Sequence, residues 1–260
     1  MKNRLRFILY RCVFAACFFL PLVFITACDL PQEAEPVVED NLEVVLKSKS
    51  VLTEFPGAGA FVLGFTNPYL AFEVGKVFHY EGETEDGLET IEVTVTSDTK
   101  EVMGVVCTVV RDIELLEGDT TEKTDDWFAE DEDGNVWYFG EYSEAWDDEE
   151  EEWSTEGSWE AGVDGAMPGI LMFAVPKMGK QYQQEYYEGE AEDMAKVINL
   201  NKTVEIEMGT YEGCLETMEW TPLEPGEREH KFYKPGIGLL LELEPRGGRT
   251  KIELVEVEGL

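Results

Sequence analysis

The sequence predicts a mainly β protein, with antiparallel sheets in a sandwich or half-barrel and at most one or two short helices. Three observations carry that expectation. Apolar residues recur with period two, as where Ile91, Val93 and Val95 alternate with Glu92, Thr94 and Thr96, the spacing of a half-buried strand. Reversal signals separate such runs, most clearly at Gly134-Asn135 between Trp127-Phe128 and Val136-Trp137-Tyr138-Phe139, because glycine and asparagine tolerate positive φ in tight turns. Convincing helical spacing is confined to Ala191, Met194, Ala195 and Ile198.

In chain order, Lys2, Arg4, Arg6 and Arg11 precede an apolar run from Cys12 to Ala27 that is too short for a stable spanning helix and reads as an export signal. The run closes on Ile25-Thr26-Ala27-Cys28, which looks like a bacterial lipobox: Cys28 would be diacylated and become the mature N-terminus, an uncleaved anchor helix being the alternative. Acyl chains at ~0.8 kcal/mol per buried CH₂ would then tie the protein to a membrane on the exported side of a bacterial envelope. Asp29 resembles an inner-membrane retention signal, and the choice of membrane stays open. Residues 28–66 form an acidic, proline-containing tether.

A first β unit is expected over 67–143, with a central strand from Val102 to Val110, and a second over 170–260, with strands at Val204 to Met208, Leu239 to Leu241 and Ile252 to Leu254. Val74-Gly75-Lys76-Val77-Phe78 resembles Met178-Gly179-Lys180-Gln181-Tyr182 about 105 residues later, and at similar offsets Cys107 falls opposite Cys214 and Trp127-Phe128 opposite Phe232-Tyr233. This reads either as two related units, in two lobes or one continuous structure, or as a chance likeness between β segments. Between them, 144–169 is an acidic, Trp- and Gly-rich connector. Its six consecutive acids, Asp147 to Glu152, must stay hydrated and are read as a hairpin tip with Trp146 and Trp153 packing beneath.

Loss of the signal removes four basic residues and no acid, moving the formal charge from −36 to −40. Such a body repels nucleic acid and anionic lipid; a solvated acidic surface and an attraction for cations are both compatible with it. Of five cysteines, Cys107 and Cys214 remain after Cys12, Cys17 and Cys28 are spent, and an exported context allows one disulfide or two buried thiols.

Asp131, Asp133 and Asn135 place oxygen ligands at alternate positions and are the candidate metal ligands, for calcium. The EF-hand pattern fails, however, since Gly134 is fourth from Asp131 and Val136 follows Asn135, and an ordinary hairpin turn accounts for the same residues. Trp127, Trp137 and Trp159 are the candidate ligand-binding residues. Catalytic candidates are lacking: His79 and His230 lie in strand-like runs without a Gly-x-Ser-x-Gly elbow, and zinc would need clustered N and S ligands. A glycosidase needs two carboxylates flanking a sugar, but among 56 acids and six tryptophans no spacing isolates a pair.

Four words, T-D-D-W-F-A-E-D-E-D-G-N-V-W-Y-F-G-E (124–141), G-S-W-E-A-G-V-D-G-A-M-P-G-I (157–170), E-Y-Y-E-G-E-A-E-D-M-A (185–195) and E-W-T-P-L-E-P-G-E-R-E-H-K-F-Y-K-P-G-I-G (219–238), together resemble an uncharacterised group of bacterial exported proteins and lipoproteins. The likeness runs from about Asn67 to Val257, with Glu130 where the group would carry Gln and Lys234 where it would carry Ala. It implies export and relatives, and carries no activity. More loosely, the apolar-Gly-Lys phrases and Tyr-Lys-Pro-Gly-Ile-Gly are similar to half-barrel lipoprotein carriers that enclose an acyl chain. The resulting expectation is a membrane-anchored, non-catalytic envelope lipoprotein that needs no cofactor. It would act as a binding or structural module for a lipid, cell-wall or cationic protein partner. Calcium-dependent or carbohydrate binding is the alternative, with carboxylate-based hydrolysis behind it.

Overall fold

A computed structural model describes residues 52–84, 86–148, 150–244 and 250–259. The signal, Cys28 and the tether up to residue 51 lie outside the described residues. A short 3-10 turn, Ala58–Ala60, leads into β1 (Phe61–Val62), and a first meander follows: β2 (Val77–Glu83), β3 (Leu88–Val102), β4 (Val105–Leu116), β5 (Asp119–Asp131) and β6 (Val136–Asp147). Five short strands come next, β7 (Glu152–Ser154), β8 (Trp159–Glu160), β9 (Met167–Met172), β10 (Gln181–Gln183) and β11 (Glu185–Tyr186). A second meander then contains β12 (Met194–Ile206), β13 (Gly209–Trp220), β14 (Glu229–Lys234), β15 (Gly238–Leu243) and β16 (Lys251–Glu258). The expected β class holds, and among the described residues there is no α-helix.

All pairings between these strands are antiparallel, and the path β10-β12-β13-β14-β15-β16-β2-β3-β4-β5-β6-β9-β11 curls into a nearly closed, barrel-like sheet. Its two ends are consecutive in the chain. Gln181–Gln183 pairs with β12 and Glu185–Tyr186 with β9, so six residues form a seam between the two ends of the path. Gly169 permits the close approach there: a Cβ on it would stand 2.3 Å from the Gln184 carbonyl oxygen.

Two meanders share one sheet and one core. Gly75 N–H donates to Val95 O (2.8 Å) and Val95 N–H to Lys76 O (2.9 Å), while Gly179 N–H donates to Val197 O (2.8 Å) and Val197 N–H to Lys180 O (3.0 Å). Lys100 pairs across the hairpin with Cys107, and Lys202 with Cys214. The Lys100 ammonium lies 3.9 Å from the Trp127 ring centre and that of Lys202 5.8 Å from Phe232. Turn, lysine, cysteine and aromatic thus recur in the same relation, as the sequence comparison leads one to expect. Both cysteines are free and buried, and burial pushes the Cys107 thiol up to about 12, the state of an inert thiol.

Two local expectations are overturned. Met194, Ala195 and Ile198 lie in β12, not a helix; adjacent Met194 and Ala195 are both buried, so a strand covered on both faces imitates helical spacing. Val102 to Val110 is not one strand either, because Met103 and Gly104 (φ 51° and 79°) turn the chain between β3 and β4. The stretch 52–66, expected as the tether's end, packs on the body: Phe55 and Phe61 stack on each other and lie edge-on to Trp137 and Phe139. Glu130 then anchors the chain that follows, its carboxylate accepting Thr66 N–H (2.6 Å), Thr66 O–H (2.5 Å) and Asn67 N–H (2.8 Å). From there Leu70 and Phe72 enter the core.

Candidate functional site

Register places carboxylates side by side on one face of β4, β5 and β6. Val110, Asp126 and Glu141 form one row, Asp112, Thr124 and Ser143 the next, and Glu114 pairs with Glu122 beyond. All of these are buried. On the opposite face of β4 and β5 the pair Arg111 and Asp125 makes an ordinary bidentate contact at 2.8 and 3.1 Å. The buried face has acids opposite acids, an arrangement that repels when both are ionised.

Protons relieve that repulsion. Burial, and then the neighbouring acids, raise Asp112, Asp126, Glu141 and Asp193 well above the carboxylate range, since desolvation and like charge both penalise the ionised form. Tyr138 Oη lies 2.5 Å from Asp126 Oδ1 and 3.0 Å from Glu141 Oε2. A phenol has one proton, so it serves both contacts only if one carboxyl is itself protonated and donates to the phenol oxygen. Glu122 Oε1 accepts the Thr124 and Ser143 hydroxyls, each at 3.1 Å. Across the interior Lys231 stands 3.2, 3.6 and 3.8 Å from Glu219, Glu229 and Glu242. Burial alone would depress this lysine, but the three carboxylates outweigh it and hold its titration well above the usual range.

Next to the buried Glu141, β6 also meets β8. Gly140, at φ 128°, has no Cβ to collide with the Trp159 carbonyl oxygen, which would lie 2.2 Å from it, so β8 can cross β6, pairing Trp159 with Glu141 and Glu160 with Gly140. Beside this crossing lies a groove of about 430 Å³, walled by Trp127, Tyr142, Trp159 and Tyr187 and carrying Lys100, Glu141, Ser158, Glu160 and Asp164. Lys100 bonds Glu160 at 2.8 Å. Trp159 lies edge-on to Tyr138, which stacks through Phe128 on Phe72, so one aromatic series joins groove and core.

Of the candidate ligand-binding residues, Trp127 and Trp159 share this groove, whereas Trp137 packs against Phe55 and Phe61 and donates its indole N–H to Asp131 Oδ2 at 2.8 Å. The candidate metal ligands form a turn. Asp131 Oδ1 accepts the backbone N–H of Asp133 (3.0 Å) and of Asn135 (2.8 Å), and Asn135 Nδ2 reaches both carboxylate oxygens at 3.2 and 3.0 Å. Asn135 Oδ1 accepts Ala174 N–H at 3.1 Å. The oxygens of Asp131 and Asn135 that a cation would need are directed at these donors, and among the described residues no group of three His, Cys, Asp or Glu side chains is placed to hold an ion. Trp146 and Trp153 flank the acidic tip as expected, but they pair with each other at 5.7 Å and stay partly exposed instead of packing beneath it.

Sequence reasoning missed the buried acids and Lys231. Their residue types argue for solvent, and the available signal was parity: Asp112 and Glu114 lie two residues apart on one strand, in step with Val110. The four words quoted above meet here in space. They supply Asp126, Tyr138 and Glu141, then Trp159, Glu160 and Asp164, then Tyr187 and Asp193, and finally Glu219 and Lys231.

No family model matches the sequence, and no curated protein matches it. Two solved structures are similar in shape. One is a Bacteroides fragilis protein thought to be exported, with a YMCC-like fold (15% identity, 75% of this chain and 100% of that one, TM-score 0.42). The other is a Parabacteroides distasonis protein taken to be a lipoprotein (12% identity, 75% and 100%, TM-score 0.44).

Proposed function

We propose that this protein is a lipid-anchored, non-catalytic module of the bacterial envelope whose groove at the β6–β8 crossing binds a cell-wall glycan. The groove itself carries the reading: aromatic walls from Trp127, Tyr142, Trp159 and Tyr187 stand beside the hydrogen-bonding groups of Ser158, Glu160 and Asp164. Sugars present apolar C–H faces and rims of hydroxyls, and such mixed walls suit them. An acyl chain would prefer an apolar tunnel, and the region beneath this groove is a field of carboxyl groups. The exposed aromatic surface continues along β6, since Tyr142 and Trp146 are four residues apart on one exposed face and Trp153 pairs with Trp146. A glycan strand could follow that line.

Sedimentation with isolated peptidoglycan sacculi tests the proposal on the soluble body. Wild type should pellet with the sacculi, and Tyr142→Ala and Trp146→Ala should each weaken retention by about three- to tenfold, as expected for the loss of one stacking contact. Wild-type protein that stays in the supernatant would refute it.

A further inference from the structure

We propose that a second hollow, next to the groove, seats a segment of this chain's own tether, Leu46 to Val51, with Lys47 and Lys49 against the carboxylates of Asp164 and Glu188. The segment lies outside the described residues, but the point at which it joins the body is described. Leu52 lines the hollow together with Asp164, Gly165, Met167, Tyr186 and Glu188, around a volume of about 390 Å³. From Leu52 onward the chain lies on the body, where Phe55 and Phe61 pack edge-on to Trp137 and Phe139. The residues just before Leu52 are therefore delivered to this hollow by a contact already made.

Charge and polarity match on the two sides. Between Cys28 and Thr66 the chain carries seven acids and two cations, and both cations fall close to the hollow: Lys49 is three residues before Leu52 and Lys47 five. Extended chain of those lengths spans at most ~11 and ~18 Å, so both ammonium groups reach the rim. Asp164 and Glu188 are exposed there, and among the described residues no lysine or arginine lines the hollow to neutralise them. Opposite charges held this close attract in a salt-dependent way. Leu46 and Val51, which flank the lysines, find apolar surface to cover in Met167 and in Val163 beside Asp164, 40% and 49% exposed. Asp164 lines the groove as well, so the seated segment borders the groove. The contact itself does not depend on what the groove binds.

Hydrogen exchange on the full-length protein in detergent tests the contact. Amides of residues 47–51 should exchange at least tenfold more slowly than those of residues 32–38, and the difference should shrink in about 1 M salt. Glu188→Lys, at an exposed position, should remove most of that protection. Adding Lys49→Glu to it should bring the protection back, because the pair is restored with its signs exchanged; damage to the body from Glu188→Lys would not be repaired by a change in the tether. Residues 47–51 that exchange as fast as 32–38 in the wild type would overturn the docking. Protection indifferent to Glu188→Lys, or lost and not recovered in the double variant, would overturn the seat at Asp164 and Glu188. Retention on sacculi is a separate measurement, and neither result predicts the other.

Discussion

Asp131 and Asp126 stand five residues apart on β5 and are both buried, yet their carboxylates meet opposite surroundings. Asp131 is ringed by N–H donors from its own turn and from Trp137. Asp126 faces Glu141 across the strand pair and has Tyr138 as its donor. Removing either arrangement should cost stability by different routes. Asp131→Ala leaves the Trp137 indole and the turn amides without acceptors and should destabilise by about 2–4 kcal/mol in urea unfolding. Tyr138→Phe removes one hydroxyl shared by two carboxyls and should cost about 1–3 kcal/mol. The Asp131 turn was legible in the sequence because the donors to the Asp131 carboxylate all lie within six residues of it. The Asp126–Glu141 pairing was not, because the acidic residues themselves suggest a wet face and only the register across three strands shows otherwise.

At the scale of elements, the long strands were legible and the seam was not. Period two and turn residues mark β2 to β6 over many residues, and the apolar-Gly-Lys phrase repeats because each copy makes the same pair of backbone bonds, to Val95 in one unit and Val197 in the other. Strands of two or three residues such as β10 and β11 carry no period, and they exist because the two ends of the sheet meet there. The seam therefore depends on backbone proximity more than on side chains. Gly169 lies at its tightest point, where a Cβ would overlap the Gln184 backbone, whereas Gly189 has positive φ but open space around it. Gly169→Ala should cost more than about 3 kcal/mol and Gly189→Ala about 1–2 kcal/mol. Parallel denaturation curves check this; equal losses would mean that the seam yields.

For the whole molecule, the buried acids set an unusual relation between stability and pH. Asp112, Asp126, Glu141, Asp193 and Glu242 are all raised well above the carboxylate range by burial and then by neighbouring charges. A carboxyl whose pKa is higher in the folded than in the unfolded chain favours folding fully below the unfolded value near 4, and that contribution is lost as pH rises through the folded value. Lys231 is also raised, above its ordinary 10.5, so its contribution is intact throughout the neutral range and does not alter the slope there. The body should thus gain stability as pH falls from about 8 to about 5, the reverse of proteins whose acids are ion-paired. Surface repulsion would act in the same direction, because a chain of formal charge −36 also loses repulsion as it takes up protons. Salt separates the two. At about 1 M the Debye length is roughly 3 Å, enough to suppress the exposed charges and too little to remove the desolvation cost inside the sheet. The rise in melting temperature toward pH 5 should persist in 1 M salt, and Glu141→Gln, which keeps the shape and discards one titrating proton, should flatten it by raising stability at pH 8 more than at pH 5. A slope that vanishes in salt, or a variant that shifts both ends equally, would place the effect on the surface and leave the interior acids without a part in it.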